Sequence, residues 1–472
     1  MRRVLLSSLV LAGLAVTVSA QRPAIGNAIR RFVVTDAAVV ALTNARVIDG
    51  TGAAPRVGQN IIIRDGRIAA VGAAAATAVP DGAQVIDLSG KTVIPGMVMV
   101  HEHLYYPTGP GVYGQLGESF VPLYLAGGVT SMRTGGNVHG VMDINMKRLV
   151  DTGSKAGPWI DATAPYLNGP NTFQQMRVLK GPEDARRQVN YWVDEGATSF
   201  KAYMNITRAD LAAAIGEAHK RGVKVTGHLC SVTLGEAADL GIDNIEHAFM
   251  AATDFVPDKQ PDACPGQAVG QRTIAALDPA GAPFMTLVRK LITKGVTLTT
   301  TPAVFETFTP GRPLPPGLDV LVEPLRTQFV ATHARVSGNT QSVYATLFPK
   351  GLQLDLAFFR AGGKLVAGTD PTGSGGVIPG YSNQRTIELL VEAGFTLPEA
   401  IKIVTLNGAD YLGRAATTGS LVVGKSADLV VIAGDPTATI ADIRKVETVF
   451  KGGVGFDSAR LIESVKGRVG LH

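Results

Sequence analysis

Residues 93–103 read VIPGMVMVHEH, an apolar run that ends in two histidines one residue apart. Its middle, residues 97–100, has the length and composition of a buried β-strand. Side chains at positions i and i+2 of a strand point to the same face, so His101 and His103 can aim their imidazoles into one site. The segment therefore predicts a strand whose carboxyl end carries chemistry.

Seven further apolar segments follow this one and alternate with amphipathic helical stretches. They are residues 129–132, 159–162, 199–202, 223–226, 242–245, 296–299 and 364–367. Eight strand–helix steps favour an α/β fold, a (β/α)8 TIM-like barrel over residues 95–414. A doubly wound parallel sheet stays open as the alternative, because alternation alone does not separate the two.

Short β-rich segments flank the barrel region on both sides. The dipeptide Asp65-Gly66 lies between two of them and is typical of a hairpin turn. Residues 428–433 and 445–450, near the other end of the chain, are also short runs typical of β-strands. We expect residues 35–94 and 415–472 to form one small composite antiparallel β-sandwich domain. The barrel would be inserted between its two halves.

The first twenty residues have the features of an export signal. Arg2 and Arg3 precede an apolar stretch over residues 4–16, and small residues follow at Ser19 and Ala20. This pattern is typical of a secretory signal peptide, here residues 1–20, with residues 21–34 as a linker. It predicts a secreted or periplasmic protein with no membrane attachment after cleavage; a retained N-terminal anchor is the alternative.

Composition and charge exclude several classes of protein. The chain has 472 residues, is 46% hydrophobic and 18% charged, and carries a net charge of +5. Its basic residues form no run, which argues against a nucleic-acid partner. Cys230 and Cys264 are too few for a disulfide framework or a cysteine-based zinc site. They can pair with each other or remain two buried thiols.

Four more ionisable residues fall on predicted strands. His228, His247 and Asp370 end the fifth, sixth and eighth strands, and Lys201 lies within the fourth. Each alone could be a structural residue. Together with the two histidines of the first strand they would meet at the carboxyl ends of the strands, where barrel enzymes have their active sites. A shared site is therefore the better interpretation.

Lys201 presents a specific electrostatic problem in such a site. A protonated ammonium deep in a barrel is costly to bury, and nearby cations would repel it. The amine can lose its proton, or it can react with carbon dioxide to form a carbamate. A carbamate is an anion with two oxygens, able to bridge two metal ions.

These residues and motifs resemble the amidohydrolase superfamily, in its binuclear form with a carboxylated lysine. The chain is similar to imidazolonepropionase-like Xaa-Pro dipeptidases and related amide hydrolases over about residues 42–451. The resemblance is carried by VIPGM (93–97), HEH (101–103), GGVT (127–130), Lys201, His228, EH (246–247), GTD (368–370) and GKSADLV (424–430).

The resemblance implies a role for each of the six residues. The expected cofactors are two divalent metal ions, preferably zinc, and carbon dioxide held as the lysine carbamate. One metal would be bound by His101, His103 and Asp370, the other by His228 and His247, with Lys201 and a hydroxide bridging them. Asp370 would act as general base and then as general acid.

Three further residues are candidates for supporting roles. Tyr203 lies two positions after the lysine and should face the same mouth, and His139 follows the second strand; both are candidate substrate contacts. Core packing and an exposed loop are their alternatives. Glu246 is a candidate to orient a metal ligand. The long connections 248–283 and 302–337 should form the substrate pocket.

The pattern as a whole predicts an exported metal-dependent amidohydrolase that cleaves an amide or peptide C–N bond. A dipeptide, an N-acyl amino acid or a foreign amide would be the small-molecule partner, and relatives of this type commonly form homo-oligomers. Alternatives are a cyclic amide hydrolase or deaminase of imidazolonepropionase type, or a lactone or phosphoester hydrolase on the same metals. A binding module without metals is disfavoured because no ligand is missing.

Two other enzyme signatures are absent or spurious. Residues 109–114 read GPGVYG and match a dinucleotide-binding fingerprint, but Pro107 and Pro110 are incompatible with its strand–turn–helix geometry. The sequence contains no G-x-S-x-G motif, so a serine hydrolase has no visible nucleophile.

Overall fold

The fold combines parallel strands from the middle of the chain with one large sheet built from both its ends. The computed structural model describes residue 22 and residues 24–109, 111–171, 173 and 175–470. Its strands are β1 (Val33–Thr35), β2 (Val39–Val47), β3 (Arg56–Arg64), β4 (Arg67–Ala73), β5 (Gln84–Asp87), β6 (Thr92–Pro95), β7 (Met97–Glu102), β8 (Tyr105–Gly109), β9 (Val112–Gln115), β10 (Val129–Thr134), β11 (Trp159–Asp161), β12 (Ser199–Ala202), β13 (Lys224–Gly227), β14 (Asn244–Glu246), β15 (Thr297–Thr300), β16 (Leu365–Ala367), β17 (Leu429–Ile432), β18 (Val446–Lys451) and β19 (Val454–Asp457).

The helices lie mainly between the parallel strands. They are α1 (Asn27–Arg30), α2 (Gly117–Ala126), α3 (Met142–Asp151), α4 (Pro182–Glu195), α5 (Arg208–Lys220), α6 (Leu234–Asp239), α7 (Gln267–Ala275), α8 (Ala282–Thr293), α9 (Pro302–Glu306), α10 (Glu323–Ser337), α11 (Tyr344–Arg360), α12 (Tyr381–Glu392), α13 (Leu397–Lys402), α14 (Gly408–Tyr411) and α15 (Ser458–Glu463). Short 3₁₀ turns span Ala248–Ala251, Leu318–Val320 and Ile440–Arg444, and a π-helical turn, Ile403–Asn407, joins α13 to α14.

The eight parallel strands are those that the apolar segments predict. They form two sheets, ordered β11-β10-β7 and β12-β13-β14-β15-β16. An isolated parallel bridge between Thr163 and Ser199 links the first sheet to the second. At the other end, the backbone N–H groups of Thr369 and Asp370 donate to the His101 carbonyl at 3.1 and 3.2 Å. The α/β alternation is confirmed, but the described strands do not form one closed, continuous barrel.

Local sequence explains why the helices begin where they do. The Thr207 hydroxyl accepts a hydrogen bond from the Asp210 N–H and caps α5. At α6, Thr233 and Glu236 form a reciprocal capping box. The strands they alternate with are almost entirely buried, as expected of parallel strands covered by helices on their outer face. Side chains at the strand ends are thus held on rigid elements.

The β-rich part of the molecule is one nine-stranded sheet, with strands from both chain ends as neighbours. Its path runs β1-β19-β18-β17-β6-β2-β3-β4, and β5 also pairs with β2. The expectation of a purely antiparallel domain is wrong, because β2 pairs in parallel with both β5 and β6. β5 pairs with residues 40–43 of β2 and β6 with residues 46 and 47, so the two strands follow one another along the same edge of β2. A single apolar cluster contains residues of both halves, including Leu42, Ile61 and Phe450.

The sheet begins earlier than the predicted linker allows. Helix α1 and strand β1 lie within residues 21–34 or at their edge, and β1 pairs with β19. The buried side chains of Ile29 and Phe32 anchor this segment to the core. The predicted signal peptide, residues 1–20, lies outside the described residues. Among the residues described, no helix combines the length and apolarity needed to span a membrane.

One buried carboxyl group in α11 should make stability depend on pH. Burial raises the pKa of Asp355 to about 7, and its Oδ1 atom has no hydrogen-bond partner among the described residues. The unfolded chain has the ordinary aspartate pKa of about 3.9, so the folded state retains a proton that the unfolded state loses between these values. Its contribution to stability therefore falls as pH rises from 4 to 7.

We expect Asp355→Asn to raise the free energy of unfolding above pH 7 by about 1–3 kcal/mol, because no charge is then buried. The difference should shrink as pH falls and vanish below about pH 4, where both the folded and the unfolded protein carry the proton. Thermal melts of both proteins across this range measure the effect, with the exposed Asp194→Asn as the control. A constant difference at all pH values would contradict the assignment.

Candidate active site

Six side chains meet where the parallel strands end. His101 lies one residue before the end of β7, His103 follows that strand, and Lys201 lies in β12. His228, His247 and Asp370 follow β13, β14 and β16. His103, Lys201, His228, His247 and Asp370 line one cavity, and His101 lies behind them, fully buried. The structure thus brings together all six residues that the strand ends predict.

The first part of this cluster is formed by the histidine pair and Asp370. Single ligand atoms of His101, His103 and Asp370 lie within 4.8 Å of one another, which suits a metal ion. The Oδ1 atom of Asp370 is 3.1 Å from Nε2 of His103 and 3.7 Å from Nε2 of His101. Asp370 itself has a left-handed backbone (φ 54°), uncommon outside glycine, which turns its carboxylate into the cavity.

Lys201 lies at the bottom of the cavity, against the same histidine. Its Nζ atom is 3.1 Å from Nε2 of His101, and its side chain is almost wholly buried. Burial is the largest cause that lowers the pKa of Lys201, to about 8. More of the amine is therefore neutral near neutral pH than in an ordinary lysine. The neutral amine is the form that can react with carbon dioxide.

The second pair of histidines lies on the opposite side of the cluster. The rings of His228 and His247 have centroids 4.3 Å apart, and Nε2 of His247 is 3.8 Å from Oδ2 of Asp370. Nδ1 of His247 is hydrogen-bonded to the Thr301 hydroxyl at 2.7 Å. His247 and Ala248 both have left-handed backbones (φ 65° and 45°). Such strained conformations concentrate at functional sites.

Several observations show that the donor set fits divalent metal ions. Nε2 of His247 is buried with no hydrogen-bond partner among the described residues, and its lone pair would be satisfied by a bound cation. Burial lowers the pKa of His103 to about 4 and that of His228 to about 3, so both rings stay in the neutral, metal-binding form. Imidazole and carboxylate groups at this density are typical of zinc-type centres.

A buried ion pair supports the cluster from below. Oε2 of Glu246 accepts from Nδ1 of His101 at 2.7 Å, and its Oε1 accepts from the Arg133 guanidinium at 2.9 Å. Although burial raises the pKa of Glu246, His101 and Arg133 outweigh it and hold that pKa well below its usual range. The pair fixes Nε2 of His101 toward the cavity. This is the orienting role that the sequence suggests for Glu246.

Arg133 is a functional residue that the sequence does not reveal. Its guanidinium is almost fully buried and also donates to the carbonyls of Val100 and Phe200 and to the hydroxyls of Ser199 and Thr226. These groups belong to or follow β7, β12 and β13. One side chain therefore ties together several strands that carry the cluster.

Two glycines create the space that His101 occupies. A Cβ atom at Gly135 would overlap the His101 ring, and one at Gly368 would overlap its Cβ atom and backbone. Both belong to short motifs, at 133–136 and 368–370. Any larger residue at either position would displace the imidazole.

The cavity in front of the cluster has a volume of about 430 Å³. Both long connections contribute to its walls, as predicted: Met250 and Ile274 come from the first, Phe305 and Phe308 from the second. Cavities of roughly 300–1,000 Å³ hold small organic ligands. The size therefore suits a small-molecule substrate.

The two predicted substrate contacts have different positions. Tyr203 lines the cavity, and its ring centroid lies 4.9 Å from that of His228. His139 is not on the cavity wall; its Nε2 donates to the Tyr113 carbonyl at 2.9 Å, so it supports a wall residue from behind. Its contact with substrate stays a prediction.

Two wall tyrosines are absent from the predicted set. Tyr105 stacks on His103 with ring centroids 4.4 Å apart, and its hydroxyl is hydrogen-bonded to that of Tyr166. Tyr105 could be found by continuing the alternation of the first strand by two residues. Tyr166 has no comparable local signal.

A disulfide bond between Cys230 and Cys264 forms part of the cavity wall. It decides between the two possibilities that the sequence leaves open. Cys230 lies two residues after His228, and the bond closes a separation of 34 residues along the chain. It therefore attaches the first long connection to the strand end that carries a cluster histidine.

We expect the double variant Cys230→Ser, Cys264→Ser to lose roughly 3–4 kcal/mol of unfolding free energy, the chain-entropy value for a loop of this length. Substrate KM should also rise, because the wall loses its tether. Denaturant melts with and without reductant measure the first effect. Reductant should destabilise the wild type alone; equal sensitivity of both proteins would show that the bond is not the cause.

Comparisons with known proteins agree with this geometry. A model of the amidohydrolase family matches residues 354–455, a range that contains Asp370. Imidazolonepropionase from Porphyromonas gingivalis (strain ATCC BAA-308 / W83) is 24% identical over 397 residues, covering 79% of this chain and 82% of that protein.

Solved structures show the same fold. An Xaa-Pro dipeptidase with bound methionine in the active site is 19% identical with a TM-score of 0.67, over 89% of this chain and 100% of the other. Phenylurea hydrolase B is 20% identical with a TM-score of 0.67, over 92% and 100%. The shared fold is an α/β TIM-like barrel with a β-rich domain. The chain therefore carries an amidohydrolase family domain over residues 354–455 and is similar to imidazolonepropionase over 79% of its length, which supports a hydrolase that acts on carbon–nitrogen bonds.

Proposed function

We propose that this protein is an exported amidohydrolase with a binuclear centre that hydrolyses the amide or peptide C–N bond of a small molecule. His101, His103 and Asp370 would hold one divalent cation, and His228 and His247 a second, with zinc the preferred metal. Lys201, as its carbamate, would bridge the two. Export rests on the basic and apolar pattern of residues 1–20.

One observation carries the proposal: a buried lysine lies among four histidines and an aspartate, its Nζ 3.1 Å from a histidine nitrogen. The buried carboxylate of Glu246 is already bonded to His101 and Arg133. A protonated Lys201 would thus add positive charge exactly where metal ions would bind. Carboxylation reverses the sign of that charge and makes the lysine a ligand.

A pair of divalent cations supplies Lewis acidity, which polarises a substrate carbonyl and lowers the pKa of water. The chain's own residues do the rest. Asp370, whose carboxylate faces both histidine pairs, accepts a proton from the attacking water and passes it to the leaving nitrogen. The carbonyl carbon gains the hydroxyl group, the C–N bond breaks, and an acid and an amine result.

A cyclic amide is the second candidate substrate. It is favoured by the likeness to imidazolonepropionase over 79% of the chain. The same proton transfer by Asp370 would open a ring in place of separating two products. A linear amide would release two molecules, so product analysis distinguishes the two.

The proposal is tested by metal analysis of protein purified in the presence of bicarbonate, combined with a substrate screen. We expect two metal ions per chain, loss of amide turnover on chelation, and recovery only when zinc and bicarbonate are both returned. The screen should include dipeptides, N-acyl amino acids, aryl amides, cyclic amides and lactones. Full activity with one metal per chain, or turnover of lactones alone, would contradict it.

A further inference from the structure

Among the described residues of the cavity wall, formal charges occur only within the proposed metal centre. Among the described residues that line the cavity, the only lysine, arginine, aspartate or glutamate side chains are Lys201 and Asp370. Both belong to the six-residue cluster. The remaining wall is built from aromatic, aliphatic and small residues with a few neutral polar groups, such as Gln271 and Thr253.

Aromatic rings form two walls of the cavity, which meet the cluster at the neighbouring rings of His228 and His247. The tyrosine wall contains Tyr113, Phe173 and Tyr203, whose neighbouring ring centroids are 6.0 and 6.1 Å apart. It reaches the cluster through Tyr203, which contacts His228.

The phenylalanine wall contains Phe305, Phe308 and Tyr344, with neighbouring centroids 6.4 and 5.4 Å apart. It reaches the cluster through Phe305, whose ring centroid is 5.7 Å from that of His247. A scissile bond held at the cluster would therefore lie next to two apolar surfaces, enough for one apolar substituent on each side of the bond.

Cations on segments next to the walls are already engaged. Lys259 donates to the carbonyls of Ser231 and Gln260. Arg312, four residues beyond Phe308, is paired with Glu306 and Glu392. Neither is free to meet a substrate carboxylate without breaking these contacts.

This arrangement disfavours a zwitterionic dipeptide. Its ammonium and carboxylate groups lie only a few bonds from the scissile carbonyl, so both would be buried within the cavity. An unpaired buried charge is strongly unfavourable. An amide with neutral substituents loses little on leaving water and gains apolar contact on both sides.

We propose that the cavity selects neutral amides that carry an apolar or aromatic group on each side of the scissile C–N bond, over substrates with a free α-carboxylate or α-ammonium. This inference rests on the proposed amide hydrolysis and names its substrate class. Hydrolysis turns such an amide into a carboxylate and an ammonium. The carboxylate is always charged and an alkyl amine is charged as its ammonium, so the same walls that bind the substrate favour release of these products.

A matched series of compounds tests the selectivity. N-benzoyl-2-phenylethylamine is neutral, N-benzoyl-phenylalanine adds only a carboxylate, and its methyl ester restores neutrality at larger size. Phenylalanyl-phenylalanine is the zwitterion. We expect kcat/KM of the zinc- and bicarbonate-loaded enzyme to be at least about 100-fold higher for the two neutral compounds, as the penalty for an unpaired charge implies.

The measured rates distinguish failure of the proposed selectivity from failure of the proposed amide hydrolysis. If none of these compounds is cleaved while another amide of the wider screen is, the substrate class is wrong and amide hydrolysis stands; if no amide is cleaved at all, the proposed function fails. If the carboxylate or the zwitterion is cleaved as fast as the neutral compounds, the selectivity is overturned while amide hydrolysis stands. Calorimetric binding of the same compounds to the full chain in chelator gives a second measurement without turnover, and the same order of affinity is expected.

A variant that adds a positive charge to the cavity wall should improve turnover of a substrate with a carboxylate, and so tests the same selectivity. Phe308 is half-buried on the phenylalanine wall, so Phe308→Arg would place a cation there. It should raise the ratio of kcat/KM for N-benzoyl-phenylalanine to that for N-benzoyl-2-phenylethylamine by about 10-fold or more. Phe308→Leu, which keeps the wall neutral, should leave that ratio unchanged. An unchanged ratio in a folded Phe308→Arg protein would contradict the inference.

Discussion

Replacing Lys201 with alanine is expected to remove metal binding and lower kcat/KM for amide substrates by at least about 10³-fold, since the bridging anion is worth several kcal/mol. The lysine is buried beside His101, with its Nζ atom 3.1 Å from the ring nitrogen Nε2. Metal content per chain and steady-state kinetics measure the two effects.

Two controls distinguish this loss from misfolding. Lys220→Ala removes an exposed lysine of α5 and should leave both metal content and activity unchanged. Short carboxylic acids such as formate or propionate fit the space left by the Lys201→Ala side chain and should restore part of the activity. A Lys201→Ala protein with full activity would exclude the bridge.

Replacing Arg133 with methionine is expected to destabilise the protein by about 3–5 kcal/mol, the typical effect of breaking a buried ion pair from one side. Glu246 would be left as an uncompensated buried charge, and the carbonyls of Val100 and Phe200 would each lose a donor. Denaturant-induced unfolding measures the change.

A double-mutant cycle separates the charge effect from lost packing. Combining Arg133→Met with Glu246→Gln removes both charges, so the double variant should be more stable than Arg133→Met alone. Activity should stay low in all three variants, because His101 loses its charged partner. Strict additivity of the two single effects would contradict the coupling between Arg133 and Glu246.

The parallel strands and the positions of the six cluster residues could be predicted because both follow from local patterns. Each strand is a short apolar run bounded by helical periodicity, and in such folds functional groups collect at strand carboxyl ends. The spacing of His101 and His103 was sufficient to place both on one face. Lys201 stood out because an ionisable residue interrupts an apolar strand.

The supporting structure could not be predicted because it depends on partners distant in sequence. Arg133 and Glu246 are 113 positions apart, and nothing near either residue indicates the other. Gly135 and Gly368 are explained only when the His101 ring is in place between them. The parallel pairing of β2 with β5 and β6 likewise depends on how the connections run, which composition does not reveal.

The most direct test is a crystal structure of the protein grown with zinc and bicarbonate, with anomalous diffraction recorded at the zinc edge. The account predicts two anomalous peaks among the six side chains, and electron density extending from Nζ of Lys201 to both of them. A single peak, or a bare amine at Lys201 with two metals bound, would contradict it.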